Sequence, residues 1–543
     1  MKHILWGLFL LLSACSNPVA DRIYVGGVIW TGNPDAPTAQ ALAIRGADVM
    51  FVGDANAAEG LRGPDTEMID LDGHFVVPGF IDNHTHFLSG GFNLASVQLR
   101  DAGSEQEFTQ RMGDFATTQP AGRWIQGGDW DHELWGGELP DRSWIDSVTP
   151  DNPVFVQRLD GHMALVNTLV LDLAGITVDT PDPDGGTIER RPDGSPTGVL
   201  KDEAMSLVYP YIPDPDLDAR LEMLERAQAH ALSVGVTQIH DVGSYGGWPD
   251  LEAFRAAQDT DLLKLRVYSL VNLASWEQLR NYVAAEGRGD EHVWWGGLKG
   301  FVDGSLGSTT ALFYDAYLDE PDTKGLLVTD TTALRGRILD ADDAGLHVAV
   351  HAIGDKANDW LLDVYATTER HTGRWRIEHA QHLSTEAIPR FADMDVIPSM
   401  QPYHAIDDGR WAHKRIGVRV ATTYAFRDLL DAEARLTFGS DWTVAPINPL
   451  LGIYAAVTRR TIDGANPAGW VPHQKISVEE ALRSYTVNNA YAGFSDGFSG
   501  TLRPGYRADF VVLSENLLQV DPVRIPEVEV VTTVIGGEVV YEK

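Results

Sequence analysis

The feature that most restricts the fold is an alternation of apolar, strand-like segments with helical stretches through the middle of the chain. Eight such segments follow one another, and the stretch 217–232 between two of them has the periodicity of an amphipathic helix. Repeated strand–helix units predict a parallel (β/α)₈ TIM barrel, with its functional residues at the carboxyl ends of the strands. The candidate strands are residues 75–81, 234–241, 265–271, 297–302, 347–352, 374–379, 396–401 and 436–440.

Both ends of the chain contain short strand-like runs separated by glycine turns. Residues 22–75 and 499–543 therefore predict one small composite β-sandwich, and residues 76–498 predict the barrel. The long gap after the first candidate strand predicts an insertion at about 87–215, over the mouth of the barrel. Its tryptophans favour structural packing over contact with substrate; these are Trp124, Trp130, Trp135 and Trp144.

The charge of the chain restricts its partners. It has 543 residues, of which 42 are basic and 78 acidic, and its formal net charge is −36. That charge repels a phosphate backbone, so we expect no nucleic-acid partner. The hydrophobic share of 44% is ordinary for a globular protein with a substantial core. We expect a small-molecule substrate, and a homodimer is one assembly to consider.

The first 21 residues predict an export signal and a tether. Lys2 and His3 precede an apolar run at 4–12, which is too short to span a bilayer stably. The run ends at Cys15, the only cysteine of the chain, and resembles a bacterial lipoprotein signal. The alternative is an ordinary cleaved signal with an incidental cysteine. The resemblance implies lipidation of Cys15, and Ser16 after it implies anchoring on the periplasmic side of the outer membrane, with no other membrane contact.

Imidazole and carboxylate groups recur where the candidate strands end. His84 and His86 lie two apart at the end of the first strand, so both rings can face one metal ion. His351, His379 and Asp441 end or follow the fifth, sixth and eighth strands. These ligand types suit zinc and similar divalent ions. The five side chains therefore predict a metal site at the rim of the barrel.

The order His-x-His, Lys, His, His, Asp on successive strands resembles the amidohydrolase superfamily. Several stretches resemble its YtcJ-like group, also called amidohydrolase family 3, which includes N-substituted formamide deformylases. The resemblance covers about residues 23–541, and its motifs are specific for the group but not for a substrate. The stretches are Gly127–Asp131, Arg158–His162 with Asn167, Lys299–Ser305, His351–Asp355, Gln401–Pro402, Gly439–Trp442 and Gly500–Gly505 before Ala508 and Asp509.

The resemblance implies roles for the site residues. His84 and His86 would bind the more buried metal with Asp441. The imidazoles of the fifth and sixth strands, His351 and His379, would bind a second ion or complete a single-metal site. Lys299 falls where relatives with two metals have a carboxylated lysine that bridges them. The alternative is that Lys299 stays a cation and pairs with Asp303 or with a substrate carboxylate.

This arrangement predicts hydrolysis by metal-activated water. Asp441 would hold the water, accept its proton and pass it to the leaving nitrogen. The leading hypothesis is cleavage of a C–N bond in a small N-acyl or N-formyl compound. Cyclic amidase, esterase or deaminase chemistry on the same site is an alternative, and so is a lipoprotein that binds a ligand without turnover.

Some further residues are candidates for contact with substrate. His240 ends the second strand and His404 follows the seventh, and support of a metal ligand by hydrogen bonding is an equal reading for both. Trp130 and Trp442 are further candidates. For His162 in the insertion, substrate contact and a structural turn stay open.

Overall fold

The computed structural model describes residues 19–243, 247–369 and 371–543. Cys15 and the predicted signal lie outside the described residues. The predicted barrel is confirmed: eight parallel strands follow one another in chain order within one sheet. They are Phe80–Thr85, Val236–Asp241, Arg266–Asn272, Val293–Phe301, His347–Ala352, Arg376–His379, Ile397–Met400 and Thr437–Phe438, called barrel strands 1 to 8 below.

Barrel strands 8 and 1 are joined by hydrogen bonds just beyond the end of strand 8. The Asp441 N–H donates to the His84 carbonyl at 2.8 Å, and the His86 N–H donates to the Trp442 carbonyl at 2.9 Å. These bonds bring the last strand of the sheet beside the first, so residues from both lie at the same rim.

The predicted first strand, 75–81, is wrong in its extent. Phe75–Pro78 pairs with strands of the sandwich, and barrel strand 1 begins after Gly79. A Cβ on Gly79 would lie 2.1 Å from Thr237 Oγ1, so only glycine fits where the chain crosses from one sheet to the other. Both runs are fully buried, so the hydrophobic pattern contains no sign of the break.

Helices cover the outside of the barrel and bury its apolar strands. The helix predicted at 217–232 is present as Leu217–Ser233, and Asp216 accepts a hydrogen bond from the Ala219 N–H at its start. The other helices after barrel strand 2 are Trp248–Asp259, Trp276–Glu286, Thr331–Asp343, Asp355–Tyr365, Ile388–Asp393, Pro402–Asp408, Ala412–Ile416, Phe426–Asp431, Pro449–Thr458, Val478–Tyr485 and Val487–Ala492.

The two ends of the chain form two β-sheets that share a core. Tyr24, Leu42 and Ile44 from the first end contact Phe510 and Val534 from the second. One sheet consists of Asp48–Gly53, Ala41–Arg45, Arg22–Val25 and Glu67–Asp70, in that order. The other consists of Glu538–Glu542, Val530–Ile535, Phe510–Leu513, Phe75–Pro78, Val28–Trp30 and Thr38–Ala39. A short helix, Ala55–Glu59, follows the first sheet's edge strand.

The insertion after barrel strand 1 has a sheet and a core of its own. Trp130 is fully buried there, and its Nε1–H donates to the Val156 carbonyl at 2.8 Å, so it packs inside the insertion and does not line the pocket. The rings of Trp135 and Trp144 pack edge to face beside it, as structural filling requires. The sheet order is Gly186–Arg190, Pro196–Asp202, Met163–Val166, Val154–Arg158, Ile125–Trp130 and Val97–Gln98; the helices are Phe87–Asn93, Glu105–Thr117, Ser143–Asp146 and Thr168–Ala174.

No helix in the described part of the chain combines the length and the apolar character needed to cross a membrane.

Candidate metal centre

The ends of barrel strands 1 and 8 bring two imidazoles and a carboxylate together. His84 Nε2 and His86 Nε2 lie 3.4 and 3.3 Å from Asp441 Oδ1. Asp441 has a positive φ of 57°, which is a strained conformation for a residue with a side chain. The backbone hydrogen bond from Asp441 to His84, which helps to close the barrel, holds this strained turn in place. The turn directs the Asp441 carboxylate toward the two histidines.

The other ring nitrogen of each histidine is engaged by an acceptor. His84 Nδ1 donates to the Glu378 carboxylate, and His86 Nδ1 donates to the Gly243 carbonyl at 2.6 Å. A carbonyl or carboxylate oxygen only accepts, so the proton of each neutral ring lies on Nδ1. The Nε2 lone pairs therefore face Asp441, in the arrangement that metal-binding histidines adopt.

His379 and His351 extend the cluster along barrel strands 6 and 5. The His379 ring centroid lies 4.9 Å from that of His84 and 4.5 Å from that of His351. His379 Nδ1 lies 2.8 Å from Gln401 Oε1, which accepts its proton, and 3.9 Å from Asp441 Oδ2. His351 donates through the opposite nitrogen, because its Nε2 lies 3.1 Å from the Gly304 carbonyl.

Potential ligand atoms form two overlapping groups. His84, His86 and Asp441 make one group, and His379, His404 and Asp441 make the other, each with its atoms within 4.8 Å of one another. The structure thus brings together four of the five predicted ligands and adds His404. His351 lies beside the second group through its ring contact with His379.

Lys299 lies at the predicted place near the end of barrel strand 4. Its Nζ is 3.2 Å from His84 Nε2, and burial lowers the pKa of the ammonium group to about 8. The alternative ion pair with Asp303 is wrong. The Asp303 carboxylate instead accepts backbone N–H groups of Leu312, Ile353 and Gly354 at 2.7 to 3.0 Å. Asp303 therefore fixes the loop that follows His351.

The donor set fits a divalent transition-metal ion. Asp441 Oδ1 is buried and has no hydrogen-bond donor among the described residues. Such a carboxylate oxygen is costly unless a cation or a proton compensates it. Burial, with the nearby Lys299 charge, lowers the pKa of His84 to about 4, so this ring is neutral at pH 7 and has a lone pair to donate. Neutral imidazoles and a carboxylate are the ligands of zinc-type sites.

A pocket opens from this cluster toward the insertion. His86, Lys299, His351, His379, His404 and Asp441 form its inner end. Its outer wall is held by ion pairs: Arg158 lies 2.7 Å from Asp160 and 3.3 Å from Asp131, and Arg410 lies 2.9 Å from Asp131. The insertion residues on the wall are Asp131, Arg158, Leu159, Asp160 and His162, opposite Asp407, Asp408 and Trp411.

The structure places two of the candidates for substrate contact away from the pocket. His240 is fully buried inside the barrel, where its Nδ1 accepts from Arg376 at 3.0 Å and its Nε2 lies 3.2 Å from the Gln238 amide. Trp442 packs against Phe87 and His230 and does not line the pocket. Among the histidine candidates, His404 does line the pocket, and its buried Nε2 has no hydrogen-bond partner in the described structure.

Sequence reasoning missed Glu378 and Arg376. Both side chains are fully buried and form an ion pair, while Glu378 also accepts hydrogen bonds from His84 and from Ser399 Oγ. The available signal is their spacing. Two charges two residues apart in an otherwise buried strand must face the same interior side and must pair there.

Comparison with known proteins supports the same assignment. Residues 67–541 match the amidohydrolase family. The chain is 40% identical to the Protein LONG AFTER FAR-RED 3 of Arabidopsis thaliana, over 100% of this chain and 95% of that protein. It is 32% identical to the putative amidohydrolase YtcJ of Bacillus subtilis (strain 168), over 96% of this chain and 99% of that protein. It is 28% identical to the N-substituted formamide deformylase of Arthrobacter pascens, over 96% of this chain and 98% of that protein.

A solved structure agrees with the fold. The crystal structure of an uncharacterized metal-dependent hydrolase from Pyrococcus horikoshii OT3 superposes with a TM-score of 0.75 at 30% identity, covering 92% of this chain and 99% of that one. The family match covers most of the chain, and the candidate metal centre lies within the matched residues. The chain therefore belongs to the metal-dependent amidohydrolase family.

Proposed function

We propose that this protein hydrolyses the C–N bond of a small N-acyl or N-formyl amine. The observation that carries the proposal is the buried Asp441 Oδ1, which lies beside His84 and His86 without a hydrogen-bond donor in the described structure. The relative from Arthrobacter pascens, similar over 96% of this chain, is named as a deformylase of N-substituted formamides, which suggests the amide class.

We propose zinc as the metal, held by His84, His86, His351, His379 and Asp441 as one or two ions. Such an ion acts as a Lewis acid and lowers the pKa of a coordinated water from about 15.7 to about 7. If two ions are present, Lys299 would be a further ligand in the form of a carbamate. Its lowered pKa favours this, because only the neutral amine reacts with carbon dioxide.

Asp441 is suited to move the proton of the attacking water. Burial raises the pKa of its carboxyl group, but the neighbouring imidazoles of His84, His86 and His379 lower it by more, so the pKa lies well below the usual range. The carboxylate is therefore ionised at neutral pH and can accept a proton at Oδ1. It would then give that proton to the leaving amine, as a general base and acid in turn.

The test is the Asp441→Asn variant, assayed with a panel of N-formyl and N-acyl amines. Asparagine keeps the shape but cannot accept the proton, so we expect kcat to fall by roughly 10²- to 10⁴-fold. Asp35→Asn, in an exposed loop of the sandwich, is the control and should retain full activity. Metal content is measured in parallel. Full turnover by metal-loaded Asp441→Asn would contradict the proposal.

For location, we propose lipid anchoring through Cys15. In a bacterial host, the wild-type protein should sediment with membranes, and Cys15→Ser should move to the soluble fraction because the acyl chains are lost. Fractionation followed by immunoblotting measures this. An equal distribution of the two proteins would instead support an ordinary cleaved signal with an incidental cysteine.

A further inference from the structure

The part of the pocket wall that the insertion supplies contains a histidine that the proposed chemistry does not use. His162 belongs to the insertion, between the strands Val154–Arg158 and Met163–Val166. It lines the pocket together with His351, and the two ring centroids are 5.4 Å apart. His162 belongs to neither group of potential ligand atoms, and its Nδ1 is paired with Asp202 instead.

A carboxylate fixes the orientation of this ring. His162 Nδ1 lies 2.7 Å from Asp202 Oδ1, so Nδ1 carries a proton and donates it to the carboxylate. Nε2 makes no hydrogen bond within the described residues, and 16% of the side chain is exposed, on a residue that lines the pocket. Asp202 has a positive φ of 46°, so the backbone is strained where it presents this carboxylate.

The backbone of His162 is fixed as well. Its N–H donates to Asp160 Oδ1 at 3.2 Å, and its carbonyl accepts from the Asp202 N–H at 3.0 Å. Asp160 in turn accepts from Ser305 Oγ, in the loop after barrel strand 4 that also accepts from His351. The ring is therefore held relative to the metal centre by two short connections, as a preorganised binding group requires.

We propose that His162 is the substrate-binding residue of the insertion and that its Nε2 hydrogen-bonds the amide group of the bound molecule, with Asp202 as its positioning residue. The choice of an amide rests on the proposed function. The candidate metal centre and His162 would then both contact the amide group of the bound molecule. The rest of that molecule would face the other residues of the pocket wall. Loss of one such buried hydrogen bond weakens binding by about tenfold.

The test is calorimetric titration of the zinc-loaded protein with acetohydroxamate, which presents an amide-like group to a metal. His162→Asn shortens the side chain, and Asp202→Ala removes the acceptor that orients the ring. We expect each to weaken binding by about tenfold at unchanged metal content. His162→Gln retains a polar atom near the position of Nε2 and should bind within about threefold of wild type.

His371→Asn is the matched control, because His371 also has its Nδ1 paired with an aspartate, Asp342, but is exposed on the surface. It should bind like wild type. Equal affinity of wild type and His162→Asn, or no binding to wild type, would overturn the inference. Turnover of amides by wild type is measured separately. Its absence, together with a selective loss of affinity in the His162 and Asp202 variants, would overturn the proposed reaction and leave the contact standing.

Discussion

At the scale of single residues, the reactivity of the centre depends on which nitrogen of each ring carries the proton. Three imidazoles use Nδ1 to donate, whereas His351 uses Nε2. Each partner is fixed by burial or by the backbone, so the lone pairs are oriented before any ion arrives. Preorganised ligands reduce the conformational entropy lost on binding.

The contact between Glu378 and His84 provides a direct test of this argument. Glu378→Gln can present an amide N–H to Nδ1, which would shift the ring proton to Nε2 and block the ligand atom. We expect the affinity for zinc to fall by about 10- to 100-fold, measured by competition with a chelator. Glu386→Gln changes an exposed carboxylate and should not alter the affinity. Equal affinity of both variants would contradict the orienting role.

At the scale of elements, the sequence predicted the eight barrel strands because buried parallel strands read as short apolar runs between helices. The errors concern the bounds of strands, which are set by contacts between residues distant in the sequence. Residues 75–81 form one run in the sequence but two strands in space, divided at Gly79. Barrel strand 8 is shorter than the predicted 436–440: it ends at Phe438, and the positive-φ turn at Asp441 follows. Glu378 lies 294 residues from His84 in the sequence, so spacing can indicate its pair with Arg376 but not its bond to His84.

A buried histidine in barrel strand 5 leads us to expect that the folded protein loses stability in acid. His347 is fully buried, with Tyr268 Oη at 2.9 Å from Nδ1 and the Arg374 carbonyl at 2.8 Å from Nε2. Burial, with the charge of Arg376, lowers its pKa to about 3. The unfolded chain binds a proton near the ordinary pKa of about 6.5 and the folded chain does not, so stability falls as the pH drops below 6.5.

Between pH 7 and pH 5, this one histidine accounts for about 2 kcal/mol of lost unfolding free energy. His347→Gln should therefore reduce the pH dependence of denaturant unfolding by about that amount, whatever its effect on stability at pH 7. His473→Gln, at an exposed histidine, should leave the dependence unchanged. An unaltered slope in His347→Gln would show that this ring is not protonated on unfolding.

At the scale of the whole molecule, buried ion pairs join the parts that the sequence pattern separates. Arg266 of barrel strand 3 makes two bonds to Asp509 of the sandwich, at 2.6 and 3.0 Å, and both side chains are buried. The order of sandwich, barrel and insertion follows from the sequence. The six-stranded sheet of the insertion does not, because its strands are short and its register is set by pairing between distant segments.

Asp509→Asn should weaken the attachment of the sandwich to the barrel. It leaves the Arg266 guanidinium buried without its counter-charge, which costs roughly 3 to 5 kcal/mol. Denaturant unfolding measures this as a lower midpoint, or as a separate first transition of the sandwich. Glu515→Gln breaks an exposed pair with Arg524 and should cost at most about 1 kcal/mol. Equal stability of the two variants would contradict a joining role for the buried pair.

The loop after barrel strand 4 contacts both the candidate metal centre and the pocket wall. Its Gly304 carbonyl accepts from His351, and its Ser305 hydroxyl donates to Asp160. The candidate metal ligands come from the barrel, whereas part of the pocket wall comes from the insertion. Substitutions within the insertion can therefore diversify what is accepted while the ligand imidazoles stay as they are. Asp160 of the insertion contacts Ser305 of the barrel, so substitutions at this contact would be the first to disturb catalysis.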